Sequence, residues 1–153
     1  MSQALQGFPI VISEERPRKW RYSYSAGPIR SKFLMTLRDQ RKILGTKCPS
    51  CGRVYVPARS TCLECFENMH EWVEVKDEGL VETFTVVYKS SPNYSSETPI
   101  AFAVVRLEGA DTGIVHKIGE VDFDSINVGM RVKAVFGDRL KGDITDIKYF
   151  KPV

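Results

Sequence analysis

Four cysteines, Cys48, Cys51, Cys62 and Cys65, fall in one 18-residue window, and the chain has no others. They form two Cys-x-x-Cys pairs, Cys48-Pro-Ser-Cys51-Gly and Cys62-Leu-Glu-Cys65, with ten residues from Gly52 to Thr61 between them. A disulfide framework would spread its cysteines along a secreted chain, whereas two close pairs suit a metal in a reducing compartment. Each pair forms a tight knuckle, and the four sulfurs can then converge on one ion at about 2.3 Å. Pro49 fixes φ inside the first knuckle, and Gly52 permits the backbone that follows, where amides donate to thiolate. The second knuckle ends in Phe66 and lacks that glycine.

Zinc is the metal this spacing favours, because a closed thiolate tetrahedron leaves no open ligand position and reads as structural. Iron is the alternative, and it would make the chain a rubredoxin-like electron carrier. A disulfide-exchange role lacks the βαβ setting that a redox Cys-x-x-Cys motif needs. Four thiolates and a dication leave a charge of −2, and Lys47, Arg53 and Arg59 stand close by. They either compensate the site or face a phosphate or a partner.

The net charge of +3 conceals a division. Residues 1 to 60 hold 12 Lys/Arg against 3 Asp/Glu, and residues 61 to 153 hold 10 against 16. A basic front implies an anionic contact, whether nucleic acid, a phosphorylated cofactor or an acidic protein face.

The expected architecture is mostly β. Residues 1–30 read as an extended basic and aromatic arm, with Trp20, Arg21, Tyr22 and Tyr24 as docking side chains. If the arm is strand-like, aromatics at 20, 22 and 24 point one way. A short helix is expected over 31–44, with Ser31 as N-cap, apolar residues at 33, 34 and 37, and Gly45 as its stop or the start of the next element. Residues 45–76 form the metal ribbon, and Trp72 to Val75 begin a run of β segments. Residues 77–153 carry strands near Leu80–Tyr88, Ile100–Leu107, Gly113–Val121, Arg131–Phe136 and Ile144–Phe150. Five strands in about 75 residues without a long helix favour a small closed barrel. Phe84, Tyr88 and Phe102 read as its core, and the polar loop Ser90 to Pro99 as a ligand loop or a solvated connector.

What the chain lacks narrows its chemistry. No G-x-G-x-x-G, P-loop or H-E-x-x-H motif occurs, and neither histidine, His70 nor His116, adjoins a recognisable nucleophile. His116 reads as a barrel-wall residue and His70 as a linker side chain. With every cysteine committed to metal, no catalytic residue is assigned. The longest apolar run, Ile100 to Val105, is six residues, against roughly 20 for a membrane helix. The amino terminus lacks a basic segment before its short apolar run, so the expected location is the cytoplasm, with no membrane contact.

The run Lys47-Cys48-Pro49-Ser50-Cys51-Gly52-Arg53-Val54-Tyr55-Val56-Pro57-Ala58-Arg59-Ser60-Thr61-Cys62-Leu63-Glu64-Cys65 is followed by Glu78-Gly79-Leu80-Val81-Glu82-Thr83-Phe84-Thr85 and later by Val128-Gly129-Met130-Arg131-Val132. Over about residues 30 to 153 this resembles the zinc-ribbon/OB-fold family of acyl-CoA-associated proteins. The resemblance implies a rubredoxin-like zinc ribbon, a C-terminal five-stranded OB-fold barrel and a hetero-oligomer with a thiolase-fold catalytic subunit. It implies a non-catalytic accessory role in thiolytic cleavage or condensation of a β-ketoacyl-CoA. In layout the chain is similar to the small subunit of benzoylsuccinyl-CoA thiolase, so an aromatic acyl-CoA is one candidate substrate. CoA or acyl-CoA would then sit at a shared interface, with Lys47, Arg53 and Arg59 near its phosphates. A nucleic-acid-binding role is the alternative from another class, opposed by the −6 charge of the barrel half.

Overall fold

A computed structural model describes residues 23–89 and 98–153. Trp20, Arg21 and Tyr22 of the expected arm, and Ser90 to Ser96 with Glu97 of the polar loop, lie outside the described residues.

Helix α1 spans Gly27–Gln40. It starts four residues before the predicted Ser31 cap, which corrects the expected 31–44 boundary. Pro28 sits in the first turn, where a helix needs no N–H, and Ser25 Oγ accepts the Gly27 N–H at 3.2 Å. The helix stops where Arg41 turns left-handed at φ 53°, its N–H closing on the Leu37 carbonyl at 3.1 Å. Phe33 and Leu37 are buried on its inner face.

Three short strands follow: β1 (Ile43–Lys47), β2 (Val54–Tyr55) and β3 (Glu71–Val75), ordered β2-β1-β3 and antiparallel throughout. Gly45 is not the helix stop but belongs to the next element, lying in the middle of β1 rather than at its start. A Cβ there would stand 2.8 Å from Val54 Cγ1 and 2.9 Å from the Tyr55 carbonyl oxygen, so the β1–β2 approach requires glycine.

The second half is a closed five-stranded barrel, as predicted: β4 (Glu78–Val87), β5 (Ile100–Leu107), β6 (Gly113–Ile118), β7 (Arg131–Phe136) and β8 (Ile147–Pro152). The order is β4-β5-β6-β8-β7, closed by β7 on β4, and only the β6–β8 contact is parallel. Ala101, Ala103, Val105 and Leu107 alternate inward on β5. Two predicted strands shorten. Ile144–Asp146 is a 3-10 turn, capped by Asp143, whose carboxylate accepts the Thr145 N–H, and β6 ends at Ile118 rather than Val121. The predicted aromatic core also needs correction. Phe84 packs on the core, but Tyr88 is 64% exposed and Phe102 is half-buried on the outer face.

One apolar core runs through all three parts, joining Phe33 and Leu37 of the helix, Ile43, Val54 and Val75 of the ribbon, and Val81, Val105, Val132, Ile147 and Phe150 of the barrel. The β5–β6 turn adds a polar junction to the ribbon. Asp111 N–H donates to the Val54 carbonyl at 2.9 Å, and Asp111 Oδ2 accepts the Val54 N–H at 2.8 Å. Thr112 Oγ1 accepts the Val56 N–H at 2.9 Å and donates to the Val56 carbonyl at 3.0 Å. Among the described residues no helix is long and apolar enough to cross a membrane.

Candidate metal centre and adjoining cleft

The four cysteine Sγ atoms lie within 4.8 Å of one another, Cys48 and Cys62 fully buried. Strand β1 delivers Cys48, and the segment between β2 and β3 delivers Cys62 and Cys65. The two knuckles repeat one backbone pattern. Cys51 N–H points to Cys48 Sγ at 3.5 Å and Gly52 N–H donates to the Cys48 carbonyl at 3.0 Å. Likewise Cys65 N–H points to Cys62 Sγ at 3.4 Å and Phe66 N–H donates to the Cys62 carbonyl at 3.2 Å. Phe66 therefore occupies the place of Gly52 and takes the same left-handed conformation, φ 57° against 75°.

The residues fit a tetrahedral cation. The Cys51–Cys62 sulfur separation is 3.7 Å, against about 3.8 Å for the edge of a tetrahedron with about 2.3 Å metal–sulfur bonds. Without a cation these thiols oppose one another's ionisation. The Tyr55 hydroxyl hydrogen bond lowers Cys62 to about 6, whereas hydrogen bonding to Cys51, followed by burial, raises Cys65 to about 12. A bound dication offsets that repulsion. With all four positions taken by sulfur, nothing remains for a substrate, so such a centre holds structure.

Sequence reasoning missed Tyr55. Its ring is buried between the knuckles, its hydroxyl lies 3.3 Å from Cys62 Sγ, and the same oxygen accepts the Leu63 N–H at 3.3 Å. A buried tyrosine seeks a partner for its hydroxyl, and the Val-Tyr-Val run between two knuckles was the available signal.

The three predicted cations separate. Arg53 Nη1 meets Glu64 Oε1 at 2.8 Å, tying the first knuckle to the second, and that carboxylate is the main cause of the raised Arg53 pKa. Lys47 lies 3.6 Å from Glu71. Each of these two cations therefore has a carboxylate partner within the chain. Arg59 is exposed, and among the described residues its guanidinium has no ion-pair partner. Its backbone is nevertheless fixed, since Thr46 Oγ1, fully buried, accepts the Arg59 N–H at 2.9 Å and donates to its carbonyl at 2.8 Å.

Arg59 borders a cleft of about 1170 Å³ between the start of α1, the ribbon segment from Pro57 to Leu63 and the Asp143–Ile144 turn of the barrel. Phe33, Leu34, Leu63 and Ile144 supply apolar walls, and Arg30 and Arg59 supply positive charge. Tyr24, from the expected docking arm, is 75% exposed and lines the same cleft. The cleft joins residues more than 80 positions apart in sequence, which no local motif reveals.

The histidines take the places expected. His116 is buried on β6, with Nε2 3.3 Å from the Ile144 carbonyl and Nδ1 accepting the Lys117 N–H at 2.9 Å. His70 is exposed beside β3.

Comparison with known proteins agrees with this architecture. The family model for the ChsH2 rubredoxin-like zinc ribbon domain matches residues 36–69, and that for the ChsH2 C-terminal OB-fold domain matches residues 72–137. A DUF35 domain-containing scaffold protein of Methanocaldococcus jannaschii is 30% identical over 123 residues, covering 76% of this chain and 86% of that protein. One from Methanothermobacter thermautotrophicus is 30% identical over 115 residues, covering 72% and 86%. A crystal structure of a DUF35-family protein of unknown function from Sulfolobus solfataricus aligns with TM-score 0.63 and 29% identity, over 83% of this chain and 87% of that one. A chain of the Ltp2-ChsH2(DUF35) aldolase shares the fold, with TM-score 0.59, 23% identity and coverage of 84% and 98%.

Proposed function

Because this chain belongs to the family of DUF35 domain-containing scaffold proteins, we propose that it is the non-catalytic accessory subunit of a thiolase-type complex acting on a β-ketoacyl-CoA. One observation carries the reading: all four cysteines of the chain converge on a single centre. An acyl-transfer nucleophile must then come from a partner, and the aldolase complex that shares this fold is a model for such a pairing. In thiolysis, a partner thiolate attacks the β-keto carbonyl, the α–β carbon bond breaks, the α-carbon leaves as the enolate of a CoA thioester and takes up a proton, and CoA thiolate then displaces the partner sulfur to carry off the acyl group as the shortened thioester. This chain contributes assembly and positioning.

Zinc holds the two knuckles and fixes the ribbon wall of the cleft through Cys62, which adjoins Leu63. Of Lys47, Arg53 and Arg59, the three candidates to meet a partner or a CoA phosphate, Arg59 comes first because it has no ion-pair partner among the described residues. Tyr24 lines the same cleft, and Trp20, Arg21 and Tyr22, close to it in sequence, are further candidates for docking a partner. The setting is the reducing cytoplasm, where four thiols persist. An aromatic acyl-CoA such as benzoylsuccinyl-CoA is the substrate to assay first.

The test is co-expression with the thiolase-fold protein encoded nearest to it. The expected result is a stable hetero-oligomer, colourless, with one zinc per chain, whose thiolytic activity depends on both subunits. Failure to associate, or full activity of the partner alone, overturns the reading. A red preparation containing iron would turn it toward electron transfer.

A further inference from the structure

We infer that the second metal knuckle is the anchor of the docking surface: Phe66 inserts into an apolar pocket of the catalytic subunit, and carboxylates rimming that pocket meet Arg59 and Arg30. The inference rests on the accessory-subunit reading above and names the surface that reading requires.

The comparison of the two knuckles carries it. Both place the residue after their second cysteine in the left-handed region, at φ 75° for Gly52 and 57° for Phe66. Glycine adopts that conformation freely, whereas a bulky side chain is strained there. Both residues make the same turn-closing bond, so the knuckle itself needs only a backbone N–H at this place. Backbone strain of this kind persists where the surrounding turn holds it and gathers at functional sites, and here the side chain it carries, Phe66, is 80% exposed. Leu63, in the same turn, is 57% exposed and lines the cleft. Two large apolar side chains thus stand on a turn made rigid by sulfur ligation, and a rigid aromatic loses little entropy when a partner covers it.

Charge indicates the partner's chemistry. Arg30 and Arg59 line the cleft beside Leu63, and among the described residues neither has a carboxylate. Of the nearby acids, Glu64 is paired with Arg53, and Asp143, whose carboxylate accepts the Thr145 N–H, is the one acid among the described cleft-lining residues, against two arginines. In sequence, the stretch before Tyr24 carries Arg16, Arg18, Lys19 and Arg21 against Glu14 and Glu15. An apolar pocket with an acidic rim complements that surface.

The deciding measurement is the affinity of the co-expressed thiolase-fold subunit for Phe66→Gly and for an Arg30→Glu/Arg59→Glu variant, alongside each variant's melting temperature and zinc content. Phe66→Gly is expected to bind at least about tenfold more weakly while its midpoint stays level or rises by about 2–4 °C, since glycine relieves the left-handed strain. The arginine variant is expected to bind more weakly and to lose much of the salt dependence. Wild-type affinity in Phe66→Gly overturns the inference and leaves the accessory role standing. If Phe66→Gly instead abolishes a concentration-dependent homodimer and leaves the heterocomplex intact, the patch is a self-association face and the inference fails. If the wild-type chain itself does not bind, the accessory reading falls and takes this surface with it.

Discussion

At the knuckle end of the ribbon the buried cluster is Cys48, Tyr55, Cys62 and Met69, with Cys65 against it. In the barrel the buried side chains include Val81, Val105, Leu107, Val132, Ile147 and Phe150, continuous with the helix and the base of the ribbon sheet. Three of the five knuckle-end residues are metal-directed thiols, so this end has almost no apolar surface with which to hold itself together. The barrel closes its own edges and fills its interior. The ribbon tip thus relies on sulfur ligation where the barrel relies on the hydrophobic effect.

The largest expected effect follows from that contrast. Stripping the metal with a strong chelator, or replacing Cys48 by Ser, removes the ribbon's organising contacts. Amide resonances of the knuckle end, residues 48–53 and 60–69, should collapse in a two-dimensional NMR spectrum while those of β5, β7 and β8 stay dispersed. Collapse of the whole spectrum would show instead that ribbon and barrel are one cooperative unit.

The opposite perturbation is Phe150→Ala. Phe150 is fully buried in the barrel and packs edge-on against His116. Truncation is expected to cost about 3–5 kcal/mol in urea unfolding. Metal stoichiometry of the folded fraction should remain one per chain, because the four cysteine ligands all lie in the ribbon. Loss of zinc in parallel with barrel stability would erase the distinction between the two regions.

An intermediate effect is expected at their junction. Asp111→Ala with Thr112→Val removes the side-chain acceptors of the Val54 and Val56 N–H groups while leaving both cores intact. A cost of about 1–3 kcal/mol follows from unpaired, part-buried donors. Hydrogen exchange should accelerate at Val54 and Val56 first. Unchanged protection there would place the coupling in the shared apolar core alone.

The same contrast explains what the sequence disclosed. The knuckles were legible because ligation acts over three residues and leaves its spacing in the chain, and the barrel strands because β-branched residues mark them. The helix start was misread because Ser31 has the chemistry of a cap, whereas the helix begins around Pro28 with no side-chain cap at Ala26. Gly45 looked like punctuation because its reason, the close approach of Val54 and Tyr55, lies nine and ten residues further along the chain, on β2. Tyr88 carried a core residue's identity at a strand end that faces solvent. Arg53 and Arg59 looked alike until Glu64 claimed one of them. The cleft had no signature at all, being assembled from the helix, the ribbon and the Asp143–Ile144 turn.

The smallest expected effect is a pH dependence in the barrel interior. Burial holds the His116 imidazole below its usual range, and its partners place the single proton on Nε2, facing the Ile144 carbonyl, with Nδ1 accepting from Lys117 N–H. A second proton would put a charge beside Phe150 and remove that acceptor. The unfolded chain binds the proton more readily, so this stability is fully present above a pH of about 6.5 and is lost as pH falls from there toward the lowered folded value. Carboxylates held down by cations, such as Glu78 beside Lys133 and Glu108 beside Lys76, contribute their own loss only as pH falls below the ordinary carboxylate range. Urea titrations between pH 7.5 and 5.5 should therefore show a shallow decline that disappears in His116→Gln. An equal decline in that variant would assign the slope to groups outside the barrel interior.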